Sequence, residues 1–148
     1  MTCCPWLGIT LSNVSGLVLR GLTVRSSGGD GIYVAGVTNG LFSELVLDNH
    51  FRQGVSIISA TNVLFEDCVF SNTGVGAASS PACGVDLEPN YAVDRLQNIT
   101  FRRCLAANNT ACGFTISPHN LLHTTSGPPV LSAAVGITFE DCAVDARG

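Results

Sequence analysis

A glycine followed by an apolar–x–apolar segment occurs five times, as Gly8-Ile9-Thr10-Leu11, Gly31-Ile32-Tyr33-Val34, Gly54-Val55-Ser56-Ile57, Gly84-Val85-Asp86-Leu87 and Gly113-Phe114-Thr115-Ile116. The intervals are 23, 23, 30 and 29 residues. Between these segments lies a second alternating piece: Leu17-Val18-Leu19, Gly40-Leu41-Phe42, Val63-Leu64-Phe65, Ile99-Thr100-Phe101 and Ile137-Thr138-Phe139. Period-two alternation in pieces this short specifies strands rather than helices. A repeat of this length describes one unit of a stack, since a single unit cannot bury its own apolar face.

Aligning the repeats turns sequence positions into columns. One inward column is Leu19, Phe42, Phe65, Phe101, Phe139; a second is Leu22, Leu45, Cys68, Cys104, Cys142; a third is Val24, Leu47, Phe70, Ala106, Val144. With strands about 4.8 Å apart, like side chains in successive repeats meet face to face. Ser26, Asn49, Asn72 and Asn108 fall at one corner, where Asn suits a tight turn and its amide can bond the next amide in the stack. Glu66, Arg102 and Glu140 share a column, and so do Asp67, Arg103 and Asp141; opposite charges therefore alternate up the stack. These features specify an all-β fold: a single-stranded right-handed parallel β-helix of about six coils, one domain over residues 1–148. The repeat is under way by Gly8, as it would be in a piece of a longer coil stack. Uncapped coil ends expose strand edges that invite end-to-end association.

Composition narrows the function. Hydrophobic residues make up 46% and charged residues 12% of 148, which excludes a disordered chain. The net charge is −4, and all seven basic residues are arginines, so no basic patch points to nucleic acid. No apolar run reaches the length of a membrane span. Met1–Pro5 lacks the form of a signal peptide.

The phased strands, the Asn corner and the Phe column resemble the pectin-lyase-like right-handed β-helix superfamily, roughly from Leu7 to Val144. That resemblance implies the fold. It leaves function open among lyases, hydrolases, epimerases, tailspikes, adhesins and silent modules. It also implies an extracellular or cell-surface location and a polysaccharide partner.

Departures from the 23-residue period locate insertions at Thr73–Ala82, Pro89–Gln97 and Pro118–Val135, all flanking the strands Gly84–Leu87 and Gly113–Ile116. Insertions clustered in adjacent coils would wall a groove over one strand pair. Within it, Gly84-Val85-Asp86-Leu87-Glu88-Pro89-Asn90 points Val85 and Leu87 inward. Asp86 and Glu88 therefore share the outward face, about 6.6 Å apart along the strand. Such a pair suits acid–base work on a glycoside, or a Ca²⁺ ion, which prefers clustered hard oxygens; the bland reading is two solvated acids. The segment resembles a G-[IV]-D-[LIV]-E-P-N signature of bacterial polysaccharide-related β-helix proteins.

In the next coil, Pro118 and His119 align with Pro89 and Asn90, which makes His119 a candidate base or donor beside Glu88. Its Pro-His doublet resembles the D-P-H motif of alginate epimerases, with Ser117 replacing the Asp. Tyr33, Asn90 and Arg52 are the candidate substrate-binding residues: a stacking ring, a supporting amide, and one of two arginines, with Arg95, near the groove.

Ser26-Ser27-Gly28-Gly29-Asp30-Gly31 resembles the acid-bearing segment of polygalacturonases. In the column Asp30, Gln53, Cys83, Cys112 only one acid remains, and the family's G-H-G and R-I-K elements are missing, which argues against that mechanism. The outward column Thr10, Tyr33, Ser56, Asp86, Thr115 is not the repeated Thr of an ice-binding face.

Cys68, Cys104 and Cys142 read as buried thiols acting as small apolar residues. Cys83 and Cys112 align in adjacent coils and would be able to pair in an oxidising compartment; Cys3 and Cys4 have no assigned place. The expectation is a module that binds, and by extension cleaves or epimerises, a polysaccharide over Asp86 and Glu88. The alternative is a non-catalytic adhesion or assembly module.

Overall fold

The computed structural model describes residues 7–74, 81–123, 130–131 and 133–145. Within them the chain winds through five coils, each contributing strands to three faces. Ile9–Ser12, Ile32–Ser43, Val55–Glu66, Val85–Leu87 and Phe114–Ile116 pair in that order, all parallel. Thr23–Arg25, Val46–Asp48, Val69–Ser71, Leu105–Ala107 and Ala143–Asp145 form a second, five-stranded parallel sheet. The remaining face joins the first sheet through Val18–Arg20, Leu96–Arg102 and Ile137–Glu140. The register matches the sequence columns: Leu19↔Phe42, Phe42↔Phe65, Phe65↔Phe101 and Phe101↔Phe139.

Two of the short segments expected from alternation are continuous with each other. Ile32–Ser43 and Val55–Glu66 each run for 12 residues, turning the corner through register shifts between Val34 and Val37 rather than by breaking. A β-bulge lets a strand bend while most of its ladder survives.

The repeat glycines are required by close backbone approach. A Cβ on Gly8 would lie 2.5 Å from the Gly31 carbonyl oxygen, and one on Gly54 would collide as closely with the Gly84 carbonyl.

The other corners are made by left-handed residues. Glu44, Asp67, Arg103 and Asp141 have φ between 51° and 56° or, for Arg103, 50°. Ser26, Asn49, Asn72 and Asn108 form the corner expected from sequence, at φ of 55–58°. Asn108 donates to Asn72 and Asn49 to Ser26, but Asn72 reaches the Asp48 carboxylate at 2.6 Å instead of Asn49. The anion is the stronger acceptor. A further Asn ladder runs Asn98→Asn62→Asn39, at 3.0 and 3.1 Å.

The core is a stack of rings. Phe42, Phe65, Phe101 and Phe139 lie with centroids 4.4, 4.9 and 5.2 Å apart and planes within 13°. Phe139, in the last described coil, is covered on one side and remains 41% exposed. Beside the rings, the Cys68, Cys104 and Cys142 thiols donate to the carbonyls of Phe42, Phe65 and Phe101. Cys68 and Cys104 are buried and Cys142 half-buried, and all three are free. Their weak S–H donors bond to backbone carbonyls that would otherwise face an apolar neighbour.

Candidate acid cleft

Asp86 sits in the outward column of the first sheet, between Ser56 and Thr115. Strand alternation turns its side chain away from Val85 and Leu87, both fully buried. An outward side chain on a solenoid would ordinarily be wet, but Asp86 is only 3% exposed. The reading of two solvated acids is therefore corrected for this residue.

The covering groups come from neighbouring coils. Gln53, itself fully buried, donates from Nε2 to Asp86 Oδ2 at 2.6 Å, and its Oε1 accepts the Cys83 backbone N–H at 3.0 Å. Cys83 is disulfide-bonded to Cys112, so the two coils are tied together where they lead into Gly84 and Gly113. Glu88, two residues along, hydrogen-bonds Asp86 through its carboxyl. Burial, reinforced by the Glu88 charge and that hydrogen bond, pushes the Asp86 carboxyl up to about 7, with Arg52 pulling weakly the other way. Near neutrality the Asp86 carboxyl is therefore poised between its protonated and ionised forms.

Asp30 lies on the far side of Ser56. Completely buried, it receives Arg52 through Nε at 2.8 Å and Nη2 at 2.6 Å, and the Ser56 hydroxyl at 3.0 Å. A two-pronged guanidinium–carboxylate contact of this kind fixes both groups. Arg52 lines an open cleft of about 340 Å³ together with Asp86, Glu88, Pro81, Thr115 and Ser117.

The sequence-derived candidates fall into three groups. Asp86, Glu88 and Arg52 meet in the cleft. Tyr33 and Asn90 meet each other beside it, the Asn90 amide donating to the Tyr33 hydroxyl at 3.3 Å. Tyr33 is half-buried, and desolvation raises its phenol above the ordinary range. His119 lies on the 3₁₀ turn Pro118–Leu121, exposed, and is not among the residues lining the cleft. Its neighbour Asn120 makes the inter-coil contact instead, donating to the Pro89 carbonyl at 2.9 Å. Of the three insertions, residues 75–80, 124–129 and 132 lie outside the described residues. Gln97 belongs to the strand Leu96–Arg102 rather than to a loop.

Sequence reasoning listed Asp30 and Gln53 in one column but gave them no part in the Asp86 centre. The signal was their position immediately before the repeat glycine, which brings each beside the outward face of the next strand. For Ca²⁺, which takes six to eight oxygens, the cleft supplies the carboxyl groups of Asp86 and Glu88. No group of three or more His, Cys, Asp or Glu suited to a metal gathers among the described residues.

No helix among the described residues is long and apolar enough to cross a membrane. No curated protein matches the sequence significantly. Among solved structures, the chain resembles the tailspike protein gp49 of the Acinetobacter baumannii bacteriophage Fri1, described as a capsular polysaccharide depolymerase, with 17% identity and a TM-score of 0.57. That likeness covers 94% of this chain and 30% of the tailspike, so the chain spans less than a third of that protein. Residues 7–145 match the family described as right handed beta helix region, and the chain belongs to that family.

Proposed function

We propose that this β-helix binds a polysaccharide along its first face and hydrolyses it at the cleft built on Asp86 and Glu88. The carrying observation is geometric: a buried carboxyl, Asp86, and a second carboxyl two residues along, Glu88, line the same open cleft. Both carboxyls come from one outward face of the same segment, whereas the usual glycosidase pair flanks the sugar ring from opposite sides. The two groups therefore act as one unit, in the manner of proton-sharing carboxyl dyads. The unit gives its proton to the glycosidic oxygen as the C–O bond breaks. It takes one from the water that adds to the anomeric carbon, and so returns to the single-proton state. Gln53 and the Arg52–Asp30 pair hold the unit in place.

A site outside the cytoplasm accords with the Cys83–Cys112 disulfide, because such bonds persist in oxidising compartments. The likeness to a capsular polysaccharide depolymerase supports the polysaccharide reading at the level of fold.

The test incubates wild type, Asp86→Asn and Glu88→Gln with a panel of neutral and acidic polysaccharides and follows new reducing ends. Hydrolysis by wild type that falls by ~100-fold or more in both variants, with the fold intact, is the expected result. Silence of the wild type on the whole panel would leave the non-catalytic module as the better reading.

A further inference from the structure

We infer that the cleft takes a glycan without carboxylates, and that Tyr91 supplies the ring face on which it lies. The inference rests on the acid cleft being the binding site and names its substrate class.

The charge balance comes first. Asp30, Asp86 and Glu88 are three carboxyls; among the described residues Arg52 is the one cation lining the cleft. Arg52 is matched by Asp30, to which two of its three nitrogens are committed. Asp86 and Glu88 have no cation of their own in the cleft among the described residues, so carboxyls there outnumber the positive charge. Arg95 is not among the residues lining the cleft, and its Nη1 is held by the carbonyls of Val93 and Asp94 at 2.7 and 2.8 Å. A uronate would bring its carboxylate into like charge at a partly desolvated site, where repulsion is screened least. A neutral sugar meets none of this, and its hydroxyls suit a group that can both donate and accept.

The second observation is independent of charge. Tyr91 is 69% exposed three residues beyond Glu88, on a segment that is firmly braced. The Asp94 carboxylate accepts the backbone N–H groups of Asn90 and Tyr91 at 2.9 and 2.8 Å, and Asp94 returns its own N–H to the Tyr91 carbonyl at 3.0 Å. The Asn90 side chain ties the same turn to Tyr33. A large ring held in solvent by a rigid turn is a preformed platform with little ordering left to do on binding. Aromatic faces take the apolar C–H face of a sugar, while its hydroxyls turn to polar neighbours.

The test is retardation of the native protein in gels containing dextran, galactomannan, polygalacturonate or alginate at low ionic strength, with Ca²⁺ and with chelator. The inference expects retardation by a neutral polymer, weakened at least tenfold in Tyr91→Ala and kept in Tyr91→Trp, with neither polyuronate retarding the protein. Preference for a polyuronate under either condition would overturn it, as would unchanged binding by Tyr91→Ala or no retardation by any polymer. Asp86→Asn separates this from the hydrolytic reading. Hydrolysis unchanged in that variant defeats the acid unit alone, whereas polyuronate preference with an inactive Asp86→Asn defeats only the substrate class.

Discussion

Two places on this solenoid gather carboxylates, and they behave in opposite ways. At the corner after the Phe column, Glu66 and Asp67 face Arg102 and Arg103, with Glu140 beyond; the ion pairs run at 2.5–3.4 Å and every partner is at least a quarter exposed. There Arg103 holds the Asp67 carboxyl below its ordinary range. In the cleft, Asp86 and Glu88 stand side by side on one strand, and Asp86 is driven upward by burial and by Glu88. The same residue types on the same scaffold become ballast at one place and a proton store at the other. What decides is whether a cation or another carboxyl stands alongside, together with access to water.

The largest difference should appear when the arginines are removed. Arg52→Ala strips the guanidinium from a completely buried Asp30 and leaves, among the described residues, the Ser56 hydroxyl as its side-chain donor. It should cost about 3–5 kcal/mol in denaturant unfolding. Arg103→Ala at the exposed corner should cost less than about 1 kcal/mol. Equal losses would erase the distinction between the two sites.

Next in size is the covalent tie behind Gln53. Cys83 and Cys112 close a loop with a separation of 29 residues, so replacing both by Ala should lower stability by about 2–4 kcal/mol. Because the Cys83 backbone N–H positions Gln53, hydrolysis should fall by more than the lost stability explains when assayed well below Tm. Loss of stability with full activity would detach the disulfide from the cleft.

The smallest effect is a change of sign with pH. Asp67, with its carboxyl held low, contributes stability above the unfolded value and loses it as pH falls through the folded one. Asp86 does the reverse. Its folded value near 7 exceeds the ordinary 3.8, so its contribution is full below about 4 and disappears as pH rises towards 7. Asp67→Asn should therefore flatten the acid limb of a Tm–pH curve, and Asp86→Asn the limb between pH 4 and 7.

Much of this could be read from the chain before its structure. The Phe and Cys columns, the alternating corner charges and the outward pairing of Asp86 with Glu88 follow from strand period and repeat length alone, because stacking converts sequence spacing into contact. The burial of Asp86 does not follow. It depends on Gln53 and Arg52 converging from the neighbouring coil and on a disulfide that positions Gln53, which are side-chain events across coils of unequal length. The Asn39–Asn62–Asn98 ladder was hidden for another reason: alternation carries no information about φ, and Asn98 also reads as the start of Asn98-Ile99-Thr100. His119 shows the limit of alignment by column, since the insertion carrying it winds into a 3₁₀ turn rather than continuing the strand.

The central claim is that the cleft holds a proton near neutrality, and the Asp86 carboxyl can be watched directly. Carbon-13 NMR of side-chain carboxyls between pH 2 and 9, assigned through Asp86→Asn and Glu88→Gln, gives its midpoint. The expected result is an Asp86 titration centred at about 7 that moves down when Glu88 is replaced by Gln. A midpoint in the ordinary carboxyl range near 4, unmoved by Glu88→Gln, would contradict the account.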